Sequence, residues 1–235
     1  MSDSRPAVSD SRPAVSDPHR LPGRAVAVNR YVALGDSFTA GAEGSPAARW
    51  ADELALALEH VNPDVEYHNL AVPGVPSGHV VEHQLEPAIA LRPDVVTVIC
   101  GANDVLLSVR PDISAYAATF DHILTRLRST LPGAIVLTAT VPDLSRFMPL
   151  RPRTRERVTR GMRQLGEATR SVARRHGVHC MEWAEHPQAV VRDNFAGDGF
   201  HPSPDGNRRA AAEVMRTLER LGVEISRFAA RRRAS

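Results

Sequence analysis

The chain has 235 residues, 43% hydrophobic and 24% charged, with a formal net charge of +2. That length fills one core rather than two large domains, and the composition is that of an ordinary globular protein. So small a net charge gives no electrostatic reason to expect nucleic acid as a partner. No apolar run reaches the ~18 residues of a membrane span, so stable membrane insertion is not expected.

In chain order, the first feature is a tandem repeat. Ser2–Val8 (SDSRPAV) recurs as Ser9–Val15, and a third copy begins at Ser16-Asp17-Pro18. Such a polar, proline-bearing segment cannot bury a core. Residues 1–29 are therefore expected as a disordered tail, 30–222 as the folded domain, and 223–235, with Arg231, Arg232 and Arg233, as a solvated basic tail. The N-terminus has no apolar stretch of the signal-peptide kind, so a cytoplasmic location is expected.

From Tyr31 onward, short apolar runs alternate with amphipathic segments. Strands are expected at Tyr31–Leu34, Val65–Leu70, Val95–Cys100, Ala134–Thr140 and Val178–Glu182, rich in the residues of strands buried on both faces. Helices are expected at Ala47–His60, Ser77–Leu91, Ile113–Thr130, Thr154–His176 and Pro204–Leu221. Pro132-Gly133 and His176-Gly177 supply stop signals before two of the strands. The alternation implies an α/β fold: a doubly wound, three-layer α/β/α domain on a parallel sheet of about five strands. Cys100 and Cys180, the two cysteines, lie in apolar strand-like runs and read as two buried thiols rather than a disulfide or a zinc site.

In such a sheet, ligands bind beyond the carboxyl ends of the strands. Four short motifs fall there. Gly35-Asp36-Ser37-Phe38 follows the first strand, Asn69–Gly74 the second, and Gly101-Ala102-Asn103-Asp104 the third. Asp198-Gly199-Phe200-His201-Pro202 lies in a glycine-rich loop before the last helix. Each has a plain structural explanation: Ser37 could cap a helix, Gly74 make a turn, Asn103 form an Asx turn, and His201 sit in a surface loop. Their joint occurrence is harder to dismiss, since G-x-N-D alone is expected about 0.02 times by chance at this composition.

On these motifs the chain resembles the SGNH hydrolases, the GDSL esterase/lipase family, over roughly Arg30 to Leu221. Phe38 stands where the family motif has Leu. The resemblance implies a flavodoxin-like doubly wound sheet, and an ester hydrolase working through an acyl-serine intermediate on a small-molecule ester, without metal or organic cofactor. It makes Ser37 the nucleophile, His201 the base and Asp198 the residue that orients the base. It assigns the oxyanion hole to the backbone N–H groups of Ser37 and Gly74 and the side-chain amide of Asn103.

The residue types suit that chemistry. A serine hydroxyl needs a neighbouring base to attack a carbonyl. An imidazole titrates in the right range, and its second N–H needs an acceptor such as Asp198. An acyltransferase would use the same residues, and a non-catalytic binding module could keep the fold. An α/β-hydrolase would carry G-x-S-x-G, which is absent. Gly35, Gly41 and Gly44 fit neither a dinucleotide nor a P-loop spacing. Asp36 and Asp104 read as braces of the site loops. Phe147, Met148 and Leu150 read either as an acyl pocket or as packing beneath their loop.

Overall fold

The computed structural model describes residues 26–41, 49–143 and 145–226, so the tandem repeat and the terminal arginines lie outside the described residues. Five strands, β1 (Arg30–Gly35), β2 (Glu66–Asn69), β3 (Val95–Ile99), β4 (Ile135–Ala139) and β5 (His179–Met181), form one sheet in the order β2-β1-β3-β4-β5. Every pairing is parallel. The chain moves outward from β1 to β2, then crosses back over β1 to build the other half. The switch point therefore lies between β1 and β3, where a doubly wound sheet opens a crevice. Val32, Ala33 and Leu34 of β1 and Val95, Val96, Val98 and Ile99 of β3 are fully buried, as strands covered on both faces must be.

The α-helices among the described residues are α1 (Ser37–Ala40), α2 (Trp50–Glu59), α3 (Ser77–His79), α4 (Leu85–Ala90), α5 (Ala102–Leu106), α6 (Ile113–Thr130), α7 (Pro152–Arg175) and α8 (Pro204–Arg220). They flank the sheet in a three-layer arrangement, with α2 packed on α8 and α6 on α7. Helix α6 starts where the Asp112 carboxylate accepts from the Ala115 N–H at 2.9 Å. It buries Tyr116, Phe120, Ile123, Leu124 and Leu127, a stripe at helical spacing. Helix α7 begins with Pro152, whose missing N–H costs nothing there. Helix α8 is capped by Ser203, whose hydroxyl accepts from the Gly206 N–H at 3.1 Å.

Two expectations need adjustment. The single helix expected over 77–91 is α3 and α4 joined by a π-helical stretch, Val80–Gln84. Pro87 offers no N–H and would crowd the carbonyl one turn back, so the extra residue of a π turn relieves the ladder upstream of it. Both cysteines are free thiols, but Cys180 is only half-buried, because β5 is the edge strand. At the ends of the domain, Val26 bridges Val223, and Val28 and Val223 are both buried. The chain is thus tied to the core a few residues ahead of β1. No helix among the described residues is long and apolar enough to cross a membrane.

Candidate active site

The first motif forms the turn out of β1. A Cβ at Gly35 would lie 2.0 Å from the Ile99 carbonyl oxygen of β3, so only glycine allows the two strands this approach. On its other side β2 has already ended, and Gln84 takes over. Its side-chain oxygen accepts from the Gly35 N–H at 2.8 Å, and its amide donates to the Gly35 carbonyl at 2.9 Å. Asp36 then caps α1, accepting from the Phe38 N–H at 3.0 Å. Ser37 is the first residue of α1 and is 3% exposed. Its backbone N–H has no hydrogen-bond partner among the described residues. The second carboxylate oxygen of Asp36 is buried without a partner among the described residues. Burial drives this carboxyl up to about 7, working against the bond from Phe38 and helped by the charge of Asp104.

The second and third motifs are laced to the first and to each other. The Val72 N–H donates to the Gly35 carbonyl at 3.1 Å. Gly74 has φ +77° and nothing within 4 Å of where a Cβ would stand, so its backbone faces open space in a conformation that favours glycine. Asn103 sits in the first turn of α5. Its amide does not close an Asx turn; it crosses to the neighbouring loop and donates to the Val75 carbonyl at 3.0 Å. Asp104 accepts from the Ser77 N–H at 2.9 Å and from its hydroxyl at 2.6 Å. Asp36 and Asp104 therefore brace loops, as expected from the sequence.

The fourth motif is a tight loop closed by a bridge between Phe195 and Pro202. One Asp198 oxygen accepts from the Phe200 N–H at 2.8 Å and the His201 N–H at 3.0 Å; the other lies 2.6 Å from His201 Nδ1. Burial pushes the Asp198 carboxyl up, but the bonds from the His201 ring and the two N–H groups outweigh it and hold it below the usual range. An ionised carboxylate can only accept, so the shared proton belongs to Nδ1 and the lone pair of the neutral ring is left on Nε2. Arg192 clamps the loop from beneath, donating to the carbonyls of Phe195, Ala196 and Gly197 at 2.8, 2.7 and 3.2 Å. Phe147 lies tilted against Phe195, with ring centroids 5.4 Å apart, so it packs under this loop.

His201 and Asp198 are thus directly bonded, and Asn103 is bonded into the loop that carries Gly74. Ser37 and His201 meet through their neighbours: the rings of Phe38 and Phe200 lie edge to face at 5.5 Å. No hydrogen bond joins the Ser37 hydroxyl to His201 among the described residues. Catalytic contacts of this kind are often long until substrate is seated. Sequence reasoning missed Gln84 and Arg192. A lone glutamine in a helical run and one arginine among many carry no motif that would have marked them. Among the described residues, no group of three or more His, Cys, Asp or Glu could hold a metal ion.

The model of the GDSL-like Lipase/Acylhydrolase family matches residues 33–209, a span that holds all four motifs. Solved structures share the fold at low identity. A catalytic mutant of Axe2, an acetylxylan esterase from Geobacillus stearothermophilus, is 18% identical, with a TM-score of 0.64 over 83% of this chain and 95% of that one. TesA is 20% identical, with a TM-score of 0.65 over 82% and 99%. The psychrotrophic esterase EstA from Pseudoalteromonas sp., inhibited by monoethylphosphonate, is 17% identical, with a TM-score of 0.62 over 82% and 97%. No protein among those with curated functions matches the sequence significantly.

Proposed function

The chain belongs to the GDSL-like lipase/acylhydrolase family, and on that premise we propose that it hydrolyses small carboxylic esters through an acyl-serine intermediate on Ser37. The observation that carries this reading is the 2.6 Å contact between His201 Nδ1 and Asp198, which leaves Nε2 free as a base at the end of the sheet where Ser37 stands.

The steps follow from the groups present. Ser37 Oγ attacks the ester carbonyl carbon while His201 Nε2 takes the hydroxyl proton. Asp198 holds Nδ1–H and offsets the charge of the imidazolium. The carbonyl oxygen becomes an oxyanion, which the Ser37 N–H, the Gly74 N–H and the Asn103 amide can stabilise. The first N–H is unspent among the described residues, and the Asn103 amide has a second hydrogen beyond the one given to Val75. Collapse of the intermediate breaks the bond to the alkoxy oxygen, which leaves as the alcohol with the proton from His201. Water then attacks the acyl-serine with the same base, releasing the acid and restoring Ser37.

The test joins covalent labelling to kinetics. A fluorophosphonate should modify Ser37 alone, and Ser37→Ala should lose p-nitrophenyl acetate hydrolysis by up to ~10⁶ in kcat, the scale known for loss of a triad nucleophile. Label on another residue, or wild-type turnover by the variant, would remove Ser37 from the mechanism.

A further inference from the structure

Behind the His201 loop lies a cavity of about 340 Å³ that the reaction above does not use. Ser37, Gly74, Asn103 and His201 do not line it, although Phe38 and Pro202, the neighbours of Ser37 and His201, do. One wall is a stripe of α8, with Gly206, Arg209, Ala210, Glu213 and Arg216 at helical spacing. At 1.5 Å per residue that stripe runs for roughly 15 Å. The facing wall is aromatic, from Trp50, Trp183 and Phe195. Trp50 and Trp183 meet edge to face at 5.9 Å, which gives a rigid apolar surface.

The polar lining residues are Arg209, Glu213 and Arg216 of α8, with His186, Gln188 and Asn194 of the segment that precedes it. Arg209 and Arg216 are exposed, and the half-buried Glu213 between them is the acidic group in the lining. None of the three forms an ion pair among the described residues; Arg209 donates to the neutral side-chain oxygen of Gln188. The indole N–H of Trp183 is buried in the wall with no acceptor among the described residues. An apolar groove with two exposed guanidinium groups and a single carboxylate between them carries a net positive charge at that wall, which suits a ligand with an apolar chain and an anionic head.

We propose that this cavity is a second, non-catalytic binding site for an apolar-chain carboxylate, of which a medium-chain fatty acid is the simplest form. The chain lies against the aromatic wall and the carboxylate faces Arg209 and Arg216. A bound acid would also press on Phe38 and Pro202. The contact from Phe38 to Phe200, and from Phe200 to the His201 ring at 4.9 Å, leads from the cavity to the site. Occupancy would therefore be felt in the geometry of the His201 loop.

The protein carries its own reporter, since Trp50 and Trp183 are its two tryptophans and both line the cavity. Dodecanoate, titrated into the full-length chain below its micelle concentration, should change the intrinsic fluorescence saturably, and prior phosphonylation of Ser37 should leave that change intact. Dodecanol should bind at least about fivefold more weakly, and the double variant Arg209→Glu, Arg216→Glu should weaken dodecanoate by a similar factor. Ala210→Phe, which fills the groove, should abolish the signal while the circular-dichroism melt stays cooperative. The two surface charge reversals decide the matter if that variant does not fold. The proposal is overturned if wild type shows no saturable change, if phosphonylation of Ser37 abolishes it, or if dodecanol and dodecanoate bind alike.

Discussion

Asn103 gives one amide hydrogen to the Val75 carbonyl at 3.0 Å, and in the proposed mechanism the other serves the developing oxyanion. Asn103→Ala should therefore lower kcat by ~10²–10³, with KM changed only a few fold, as for a donor that acts chiefly in the transition state. Asn103→Asp should be worse, because a carboxylate would face both the Val75 carbonyl and the oxyanion as an acceptor. Steady-state kinetics of the two variants decide. A KM raised tenfold or more with kcat nearly intact would make Asn103 an anchor of the Gly74 loop and nothing else. Asp198 invites the complementary test. Asp198→Asn keeps an oxygen for the Phe200 and His201 N–H groups, so the melting temperature should hold. The amide nitrogen can no longer accept from Nδ1–H, and the imidazole turns to the wrong tautomer, with a loss of up to ~10⁴ in kcat. A large fall in melting temperature together with the activity would show that the variant broke the loop instead.

At the scale of elements, α1 rests on a carboxyl that burial makes costly to ionise. Asp36 ordinarily titrates near 3.8 and is pushed to about 7 in the fold. Between those values the unfolded chain has given up the proton and the folded chain has kept it. The native state then binds more protons, and stability falls as pH rises from about 4 to about 7. Asp36→Asn keeps an oxygen for the Phe38 cap and removes this titration. Its melting temperature relative to wild type should therefore be higher at pH 8 than at pH 5. A difference independent of pH would mean that Asp36 is not the group responsible. The same elements show what was readable beforehand. All five strands were legible, because runs such as Val95–Ile99 need burial on both faces and their alternation with helices implies a parallel, doubly wound sheet; the order of the strands was not, and the flavodoxin-like arrangement followed only from the family resemblance. Three of the motifs were legible because each follows a strand at its carboxyl end, and the fourth because it stands in a glycine-rich loop just before the last helix. The π turn before Pro87 was not, since it answers a local clash that leaves the apolar spacing nearly unchanged. Nor were Gln84 and Arg192, whose roles exist only after distant backbone has come within hydrogen-bond reach.

For the molecule as a whole, short connections set the shape of the site. One residue separates β1 from α1, and two separate β3 from α5. Among the described residues these turns add no long apolar cover over Ser37, so kcat/KM should be greater on acetyl and butyryl esters than on palmitoyl esters. A panel of p-nitrophenyl esters checks this, and a palmitoyl preference would reverse it. The topology has a further consequence in time. Ser37 lies in the first motif of the domain and His201 in the last, and their neighbours Phe38 and Phe200 meet across nearly the whole length of the domain. Contacts this distant in sequence form late. In the proposed mechanism, the chain under synthesis would carry its serine without a base until the His201 loop, just ahead of α8, is made. In refolding, hydrolysis should return with the slowest phase and lag behind the recovery of helical signal. The turnover of ester would then time the completion of the fold.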